Sequence, residues 1–314
     1  MIQVLIDARA SGLFLIGAYR DNEVIPAHPL MLTLEEIGKA GVIVNQVFLS
    51  ALHLTTVTQI ICDTLNCSKK KAQPLAELVF CKTEGNPFFM NEFLKSIYTE
   101  GLIEFDFQTL NWRWNLERIQ ARGFTDNVVE LMASKIQKLP DNTQEMLKIA
   151  ACIGNQFDVK TLALICEKSL RETANDLQAS VASSLIGLLG NREDLELALM
   201  EIEAANEPLV ITNLLLPGYK FAHDRIQQAA YCLISEQQKP IIHRKIGQVL
   251  LQNTPSDKQE EKIFDIVNQL NFGRKLISNQ SERDEVAELN LQAAKKAKAS
   301  AAYQSAFNYL HLSK

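Results

Sequence analysis

Gly85-Asn86-Pro87-Phe88-Phe89 interrupts two stretches that carry apolar residues at helical spacing, residues 74–83 before it and residues 89–97 after it. Gly85 can take the left-handed conformation that ends a helix, and Pro87 has the fixed φ angle preferred at the first position of the next helix. The sequence therefore predicts two helices joined by a sharp turn. On these residues alone the turn has a sufficient structural explanation, because short motifs are weak indicators of function.

The residues around this turn resemble a signature of the STAND class of AAA+-type P-loop NTPases, over the segment KTEGNPFFMNEFL at 82–94. Two further segments resemble that class's sensor-1 strand and winged-helix signature, LFLIGAYRDNEV at 13–24 and KFAHDRIQQAAY at 220–231. They stand in the order the class has. More narrowly, the chain is similar almost end to end to the ATPase region of large bacterial multi-domain signalling kinases. In those proteins a serine/threonine kinase precedes this region, and sensor and histidine-kinase domains follow it.

The composition is that of a globular protein and argues against a polyanion as its main partner. The chain has 314 residues, of which 47% are hydrophobic and 22% charged, and its net charge is −5. This length predicts two to four structural units with a sizeable core. A mildly acidic chain disfavours nucleic acid as the main partner. No segment is apolar for long enough to cross a bilayer, so we expect a cytoplasmic protein without a membrane partner.

Six cysteines contain no C-x-x-C pair and lie within apolar helical patterns, at positions 62, 67, 81, 152, 166 and 232. We therefore predict reduced thiols in the core rather than disulfides or a metal site. No pair of histidines has metal-ligand spacing either.

Arg20 follows a continuous apolar run, residues 13–18, which is the pattern of a strand buried on both faces of a parallel sheet. Ligands of open α/β sheets bind beyond the carboxyl ends of the strands, where a guanidinium can hold a phosphate bidentately. Alone, an arginine at such a position is more often a solvated loop residue. The resemblance implies that Arg20 senses the terminal phosphate of a nucleotide.

The motif that holds phosphates in this class, G-x-x-x-x-G-K-[ST], does not occur in the sequence. Asp7 ends an apolar run, as an acidic Mg²⁺ ligand does, but it stands too close to residue 13 for a parallel crossover. Residues 2–7 are better explained as the end of a helix. We therefore expect the chain to begin partway through an NTPase domain, with an incomplete hydrolysis site and no catalytic residue or metal ligand of its own.

Residues 43–49 are rich in β-branched and large apolar side chains and predict the last strand of this partial sheet. Helical patterns follow over residues 54–122, the part that corresponds to the helical lid of the class. The resemblance implies that Pro87 contacts the adenine ring. Within this part a hairpin is predicted around residues 108–111, with Trp112 and Trp114 on one face. These aromatics either stack on a base or, more commonly, cover apolar surface.

Residues 123–238 predict helices, capped first by Asp126, and a hairpin of residues 209–215 and 219–221 around a Pro-Gly turn. Helices with such a wing indicate a winged-helix domain. Residues near 178–207 depart from the class, which has a shorter connection there, and their acidic, helix-prone sequence predicts a helical insertion.

His223-Asp224 admits two interpretations of similar weight. In one, His223 packs below the wing and Asp224 caps the next helix. In the other, which the resemblance implies, His223 donates to a nucleotide phosphate. His243, by contrast, lacks the Glu and Pro surroundings of a phosphoacceptor histidine.

After residue 238 the patterns are helical, over 241–252, 260–276, 282–299 and 303–312. Alanines and tyrosines at close-packing positions suggest the start of a tetratricopeptide-like array: Ala293, Ala294, Ala297, Ala301, Tyr303, Ala306 and Tyr309. One repeat is too little to be stable alone, so we expect the array to continue.

Taken together, the sequence predicts a mainly α protein with four parts. They are a remnant of an α/β P-loop NTPase sheet (1–53), a helical lid with a hairpin (54–122), a winged-helix domain (123–238) and a TPR-like array (239–314). The resemblance implies an ATP- or ADP-binding switch, with Mg²⁺ in the intact parent, that regulates attached kinase and sensor domains. Protein partners would bind through the array. One alternative is a winged-helix transcription regulator, which needs a basic recognition helix, whereas residues 159–167 carry one lysine and one glutamate. The other is a protein-interaction scaffold that binds no nucleotide.

Overall fold

The computed structural model describes residues 14–19, 29–39, 41–123, 125, 127–205, 216–300 and 302–313. Its contacts divide the chain into two units, Met1–His53 and Leu54–Lys314. Arg20, Asp126, Ala301 and residues 2–7 and 209–215, for which the sequence makes predictions, lie outside the described residues.

The first unit contains one described helix, α1 (Pro29–Lys39), which the sequence patterns did not predict. Lys39 and Glu35, one turn apart on this helix, form an exposed ion pair of 2.8 Å. Ile37 on this helix is buried.

The two strands predicted for this unit are wrong for the residues that the structure describes. Residues 14–18 and 43–49 have no strand structure. Their side chains are exposed, at 85% for Phe14 and 94% for Leu49. An apolar run becomes a strand only when it pairs with a neighbour, and no described segment of this unit pairs with another.

The second unit begins with the proximal segment, residues 54–122. Its helices are α2 (Leu54–Thr64), α3 (Lys69–Thr83), α4 (Pro87–Thr99) and the short α5 (Leu116–Ala121). The first three pack in sequence order, because each has an apolar stripe that its neighbour covers. The turn predicted at Gly85 separates α3 from α4.

The predicted hairpin is confirmed, with strands β1 (Ile103–Asp106) and β2 (Asn111–Trp114) in antiparallel register. Trp112 contacts Tyr98 edge to face, and Lys71 lies over the ring of Trp114 at 4.9 Å. The tryptophans therefore cover α3 and α4, which is the commoner of the two roles expected for them.

The central segment, residues 123–238, builds the largest core around a three-stranded antiparallel sheet. Its helices are α6 (Val128–Ile136), α7 (Asp141–Ile153), α8 (Val159–Cys166), α9 (Leu170–Ala182), α10 (Arg192–Ala205) and α11 (Asp224–Cys232). Its strands are β3 (Gln156–Asp158), β4 (Ile186–Leu189) and β5 (Gly218–Phe221), and they stand in the order β3-β5-β4. Asn127, the neighbour of Asp126, caps α6 with its side chain.

Two expectations for this segment need correction. The insertion near 178–207 is not wholly helical, because β4 lies between α9 and α10. The strand β5 pairs with β3 on one edge and with β4 on the other. Both edges of β5 are thus occupied by described strands, whereas the hairpin partner predicted for it, residues 209–215, lies outside the described residues.

The distal segment, residues 239–314, is helical as predicted. It contains α12 (Lys239–Asn253), α13 (Ser256–Phe272), a 3-10 turn (Arg274–Leu276), α14 (Gln280–Ala299) and α15 (Tyr303–Leu312). The alanines expected at close-packing positions, Ala293, Ala294, Ala297 and Ala306, are buried. The sequence placed Tyr303 with them, but this first residue of α15 is 69% exposed.

All six cysteines are free thiols. Cys81 and Cys232 are exposed, which corrects the expectation that all six lie in the core. Over the described ranges, no helix has the length and apolar character to cross a membrane. The same residues bring no three His, Cys, Asp or Glu side chains together in a way that could hold a metal ion.

Candidate functional site

The turn before α4 is built by two successive residues in the left-handed region. Glu84 ends α3 with φ of 50°, and Gly85 follows with φ of 71°. Glycine adopts this conformation without steric cost, which explains why the second position is a glycine. The side chain of Asn86 then accepts a hydrogen bond of 3.0 Å from the backbone N–H of Phe89. Pro87 is therefore fixed as the first residue of α4, as the sequence predicts.

The side chains in the first turn of α4 differ in their exposure. Pro87 is exposed, whereas Phe89 is buried and joins the core of the central segment. Phe88 is half-buried between them. The turn thus anchors the proximal segment on the central segment and leaves the proline ring accessible.

His223 links the end of β5 to the start of α11. Its Nδ1 atom accepts a hydrogen bond of 3.1 Å from the backbone N–H of Arg225, so His223 itself caps the helix. This corrects the expectation that Asp224 is the cap. The carboxylate of Asp224 instead accepts a 2.8 Å hydrogen bond from the side-chain amide of Asn155. A neutral imidazole that accepts at Nδ1 carries its proton on Nε2, which makes that atom a donor.

The turn and the histidine meet in a ring contact. Phe88 stacks on the imidazole of His223, with 4.0 Å between ring centroids and 11° between ring planes. His223 takes part in this contact, and Pro87 is the residue directly before Phe88. Two of the three predicted site residues therefore lie at the contact or next to it in the chain. The third, Arg20, is outside the described residues and belongs to the other unit.

An ion pair supports this contact one helical turn further along α4. Glu92 stands four residues after Phe88, on the same face, and its carboxylate receives the ammonium of Lys135 from α6. Lys95 contacts the same carboxylate at 3.0 Å. Burial acts to raise the pKa of Glu92, but the hydrogen bonds and charges of Lys135 and Lys95 hold it below its usual value. Glu92 therefore stays ionised and keeps the two segments joined.

His243 belongs to a separate buried cluster where the central and distal segments join. Its Nδ1 lies 2.6 Å from Oε1 of Gln269, and its Nε2 lies 3.1 Å from the hydroxyl of Tyr231. The side-chain N–H of Gln269 donates to the carbonyl of Cys152 at 2.8 Å. The ring is only 8% exposed, and both its nitrogens are engaged. Such a ring is not accessible to a phosphate donor, which agrees with the absence of a phosphoacceptor sequence around it.

Phe88 is the residue of this site that sequence reasoning missed. Its position directly after Pro87 was a signal, because an aromatic side chain beside a helix start has a large surface to bury. Its partner could not be inferred, since nothing in the local pattern relates Phe88 to a residue as distant in the chain as His223.

Comparison with known proteins supports a relation to signalling proteins. No protein-family model and no solved structure match the chain. One curated relative is a protein from Dictyostelium discoideum described as "Hybrid signal transduction histidine kinase G". It is 32% identical over 326 residues, which cover 95% of this chain and 9% of that protein. The chain is thus similar, over most of its length, to one small part of a much longer protein.

Proposed function

We propose that this chain is the carboxyl-terminal part of a STAND-class nucleotide switch, which controls signalling domains attached to it. The observation that carries the proposal is the stack of Phe88 on His223. This stack brings the Gly-x-Pro turn next to the His-Asp pair. The resemblance implies that the turn contacts adenine and that the histidine contacts a phosphate.

The architecture of the central segment supports the proposal. In chain order the elements are α7, β3, α8, α9 and β4, and α10 then separates β4 from β5. The last strand lies in the middle of the sheet, between the other two. This arrangement is consistent with the winged-helix domain that we propose, in which the connection from β4 to β5 would be the wing. The four helices of the distal segment are consistent with the start of a TPR-like array.

The printed description of the Dictyostelium relative supports the signalling context. Because that protein is described as a hybrid signal transduction histidine kinase, kinase and sensor domains are the partners that we propose for this chain. The switch would convert nucleotide state into the position of the central and distal segments, and so regulate those domains.

The residues present fit a nucleoside di- or triphosphate. Pro87 offers an exposed apolar ring at a rigid helix start, suited to the face of a purine. His223 is half-buried, its Nδ1 is held by the backbone of Arg225, and a phosphate oxygen is the acceptor that we propose for its other ring nitrogen. The phosphate contact that the resemblance implies for Arg20 stays a prediction, because Arg20 lies outside the described residues. When bound, the nucleotide would supply the negative charge that these donors recognise. No metal ligand is assigned.

The alternative of a transcription regulator is disfavoured by charge. In a winged-helix domain the helix before the wing is the one that enters the major groove, and here that helix is α9. Its charged residues are Arg171, Glu172 and Asp176, and Arg171 is paired with Glu196 at 2.7 Å. A helix with more acidic than basic residues cannot neutralise DNA phosphates effectively.

The decisive experiment is nucleotide binding by calorimetry. The protein to be measured is a chimera. Its amino-terminal part is the segment of the Dictyostelium kinase that directly precedes the region matching this chain, and its carboxyl-terminal part is this chain. We expect ADP binding that weakens about tenfold or more in His223→Ala, because a charge-assisted hydrogen bond contributes about 1.5–3 kcal/mol. His223→Gln keeps a donor at this position and should lose less. His311→Ala, on an exposed histidine of α15, is the matched control.

Two outcomes would contradict the proposal. If a folded chimera binds neither ADP nor ATP, the scaffold alternative is favoured. If both nucleotides bind and His223→Ala leaves their affinities unchanged, with the fold intact by circular dichroism, His223 is only a packing residue. For the chain alone we expect no Mg²⁺-dependent ATP hydrolysis, because the phosphate-binding motif is absent from its sequence.

A further inference from the structure

The turn that ends α2 brings two cysteines together. The backbone N–H of Cys67 donates to the carbonyl of Cys62 at 3.1 Å, and Asn66 between them has φ of 43°. This six-to-one hydrogen bond and the left-handed residue define a Schellman motif. In that motif the side chains of the first and last residues of the loop contact each other. Here both of them are thiols.

The two cysteines line the same hollow but differ in accessibility. Cys62 is buried, with 7% of its surface exposed, whereas Cys67 is half-buried. Both line an open hollow of about 620 Å³ that is otherwise polar, with Ser68 and Lys69 on its rim. A small polar reagent can therefore reach Cys67, and Cys62 lies behind it.

We propose that Cys62 and Cys67 form a dithiol modification site, which low-molecular-weight disulfides such as oxidised glutathione convert into a disulfide. A disulfide needs Cα atoms about 4.4–6.8 Å apart, and the backbone hydrogen bond holds these two residues close before any reaction. Closure would therefore require side-chain rotation rather than movement of the backbone. The disulfide would covalently link α2 to the turn that connects it to α3.

The reaction balances with the oxidant named. The thiolate of Cys67 attacks one sulfur of oxidised glutathione, the glutathione disulfide bond breaks, and one glutathione thiolate leaves. The thiolate of Cys62 then attacks the sulfur of Cys67 and displaces the second glutathione thiolate. The two protons lost by the cysteines end on the two released glutathiones. Two protein thiols are oxidised, and one glutathione disulfide is reduced.

The rate should depend on pH. Burial and the neighbouring Cys62 raise the pKa of the Cys67 thiol, and Lys71 acts in the opposite direction. The attacking thiolate is thus a minor species at neutral pH, and its fraction rises about tenfold for each pH unit below the pKa. Cys81 and Cys232 are exposed and serve as internal references for the reaction with oxidised glutathione, because each of them can form a mixed disulfide with one glutathione.

The test uses the full chain treated with oxidised glutathione at pH 7, 8 and 9, quenched with N-ethylmaleimide and digested with trypsin. Residues 40–69 form one tryptic peptide with no other cysteine. We expect this peptide to be lighter by two hydrogens, unlabelled by N-ethylmaleimide and free of glutathione. In Cys62→Ala the peptide should instead retain one glutathione on Cys67. In Cys67→Ser it should show no oxidation. Cys81→Ser should behave as wild type.

The opposite results overturn the proposal. A wild-type peptide that retains glutathione would show that Cys62 cannot reach Cys67. A peptide that stays reduced while Cys81 and Cys232 are glutathionylated would show that the hollow admits no reagent. Circular dichroism on the Cys62→Ala variant, and on wild type before and after oxidation, verifies that the reactivities are those of the folded chain.

Discussion

Asn271 and Asn290 hydrogen-bond to each other in both directions, at 2.8 and 2.9 Å, across the contact between α13 and α14. Asn290 is fully buried, and its amide also donates to the carbonyl of Val286. A buried amide is tolerated only where its donors and acceptor find partners, and here the helix register supplies them. The pair therefore specifies how these two helices align, beyond the apolar contacts around it.

Asn290→Ala is predicted to lower the free energy of unfolding by about 2–4 kcal/mol, because it leaves the amide of Asn271 unsatisfied and opens a small cavity. Asn308→Ala, at an exposed position of α15, should change it by less than about 0.5 kcal/mol. Urea denaturation measures both. A double-mutant cycle with Asn271→Ala should give a coupling of about 1–2 kcal/mol. Additive effects would mean that the two amides do not depend on each other.

Elements that depend on local signals could be predicted from the sequence. The turn at Gly85, the hairpin of β1 and β2 and the helices of the distal segment each have their determinants within a few residues. The determinants are a glycine in the left-handed conformation, a proline at a helix start and alternating aromatic residues. Each of them favours a particular backbone conformation in its own neighbourhood. The predicted types of these elements are therefore confirmed.

Elements that depend on distant partners were missed. Strand β4 contains Gly187 and follows a helical pattern, so its sequence gives little indication of a strand. It exists because β5 pairs with it. The apolar residues 43–49 show the converse, since they have the composition of a strand but no paired neighbour among the described residues. At the candidate site, Pro87 and His223 could be proposed singly, whereas the stack of Phe88 on His223 required the tertiary structure.

Glycines in the distal segment give a second prediction. A Cβ atom at Gly247 would lie 2.7 Å from the side chain of Leu270 and 3.0 Å from its backbone nitrogen, so α12 and α13 approach too closely for alanine. Replacing glycine by alanine inside a helix stabilises the helix by about 1 kcal/mol, but overpacking costs about 1–3 kcal/mol. We therefore expect Gly247→Ala to lower the thermal unfolding midpoint.

The matched control is Gly187→Ala in β4, where a Cβ atom would meet nothing within 4 Å. That variant should be neutral or slightly stabilising in the same thermal scan. Equal midpoints for wild type and Gly247→Ala would show that α12 and α13 can separate without cost.

The stack of Phe88 on His223 gives a third prediction, on stability and without any ligand. His223→Asn keeps a helix cap but removes the ring, and Phe88→Leu keeps an apolar side chain but removes the stacking partner. A double-mutant cycle between the two should show a coupling of about 0.5–1.5 kcal/mol. Phe307→Leu, at a position 66% exposed on α15, should have little effect on stability. A coupling indistinguishable from zero would mean that the rings are adjacent without stabilising the joint between the segments.

His243 gives the last prediction, which concerns pH. Burial lowers the pKa of its imidazole below the ordinary value of 6.5, and the nearby charge of Lys239 acts in the same direction, while the hydrogen bond with Gln269 partly opposes both. The hydroxyl of Tyr231 and the ring of Phe272, whose centroid lies 4.1 Å from that of the imidazole, also contact His243. Because the folded state binds the proton less tightly than the unfolded state, the neutral ring contributes stability above pH 6.5. That stability is lost as the pH falls through the lower folded pKa.

We therefore expect the urea midpoint of the wild type to decrease between pH 7.5 and pH 5. In His243→Gln, which cannot take up a proton, the decrease should be smaller. His311→Gln, at an exposed position, should retain the wild-type dependence. The ion-paired carboxylates of Glu92 and Glu282 have pKa values lowered below 4.5, so their contribution is lost at lower pH and does not enter this window. Parallel curves for wild type and His243→Gln would show that the buried cluster accommodates the protonated ring, and that the junction of the central and distal segments is insensitive to acid.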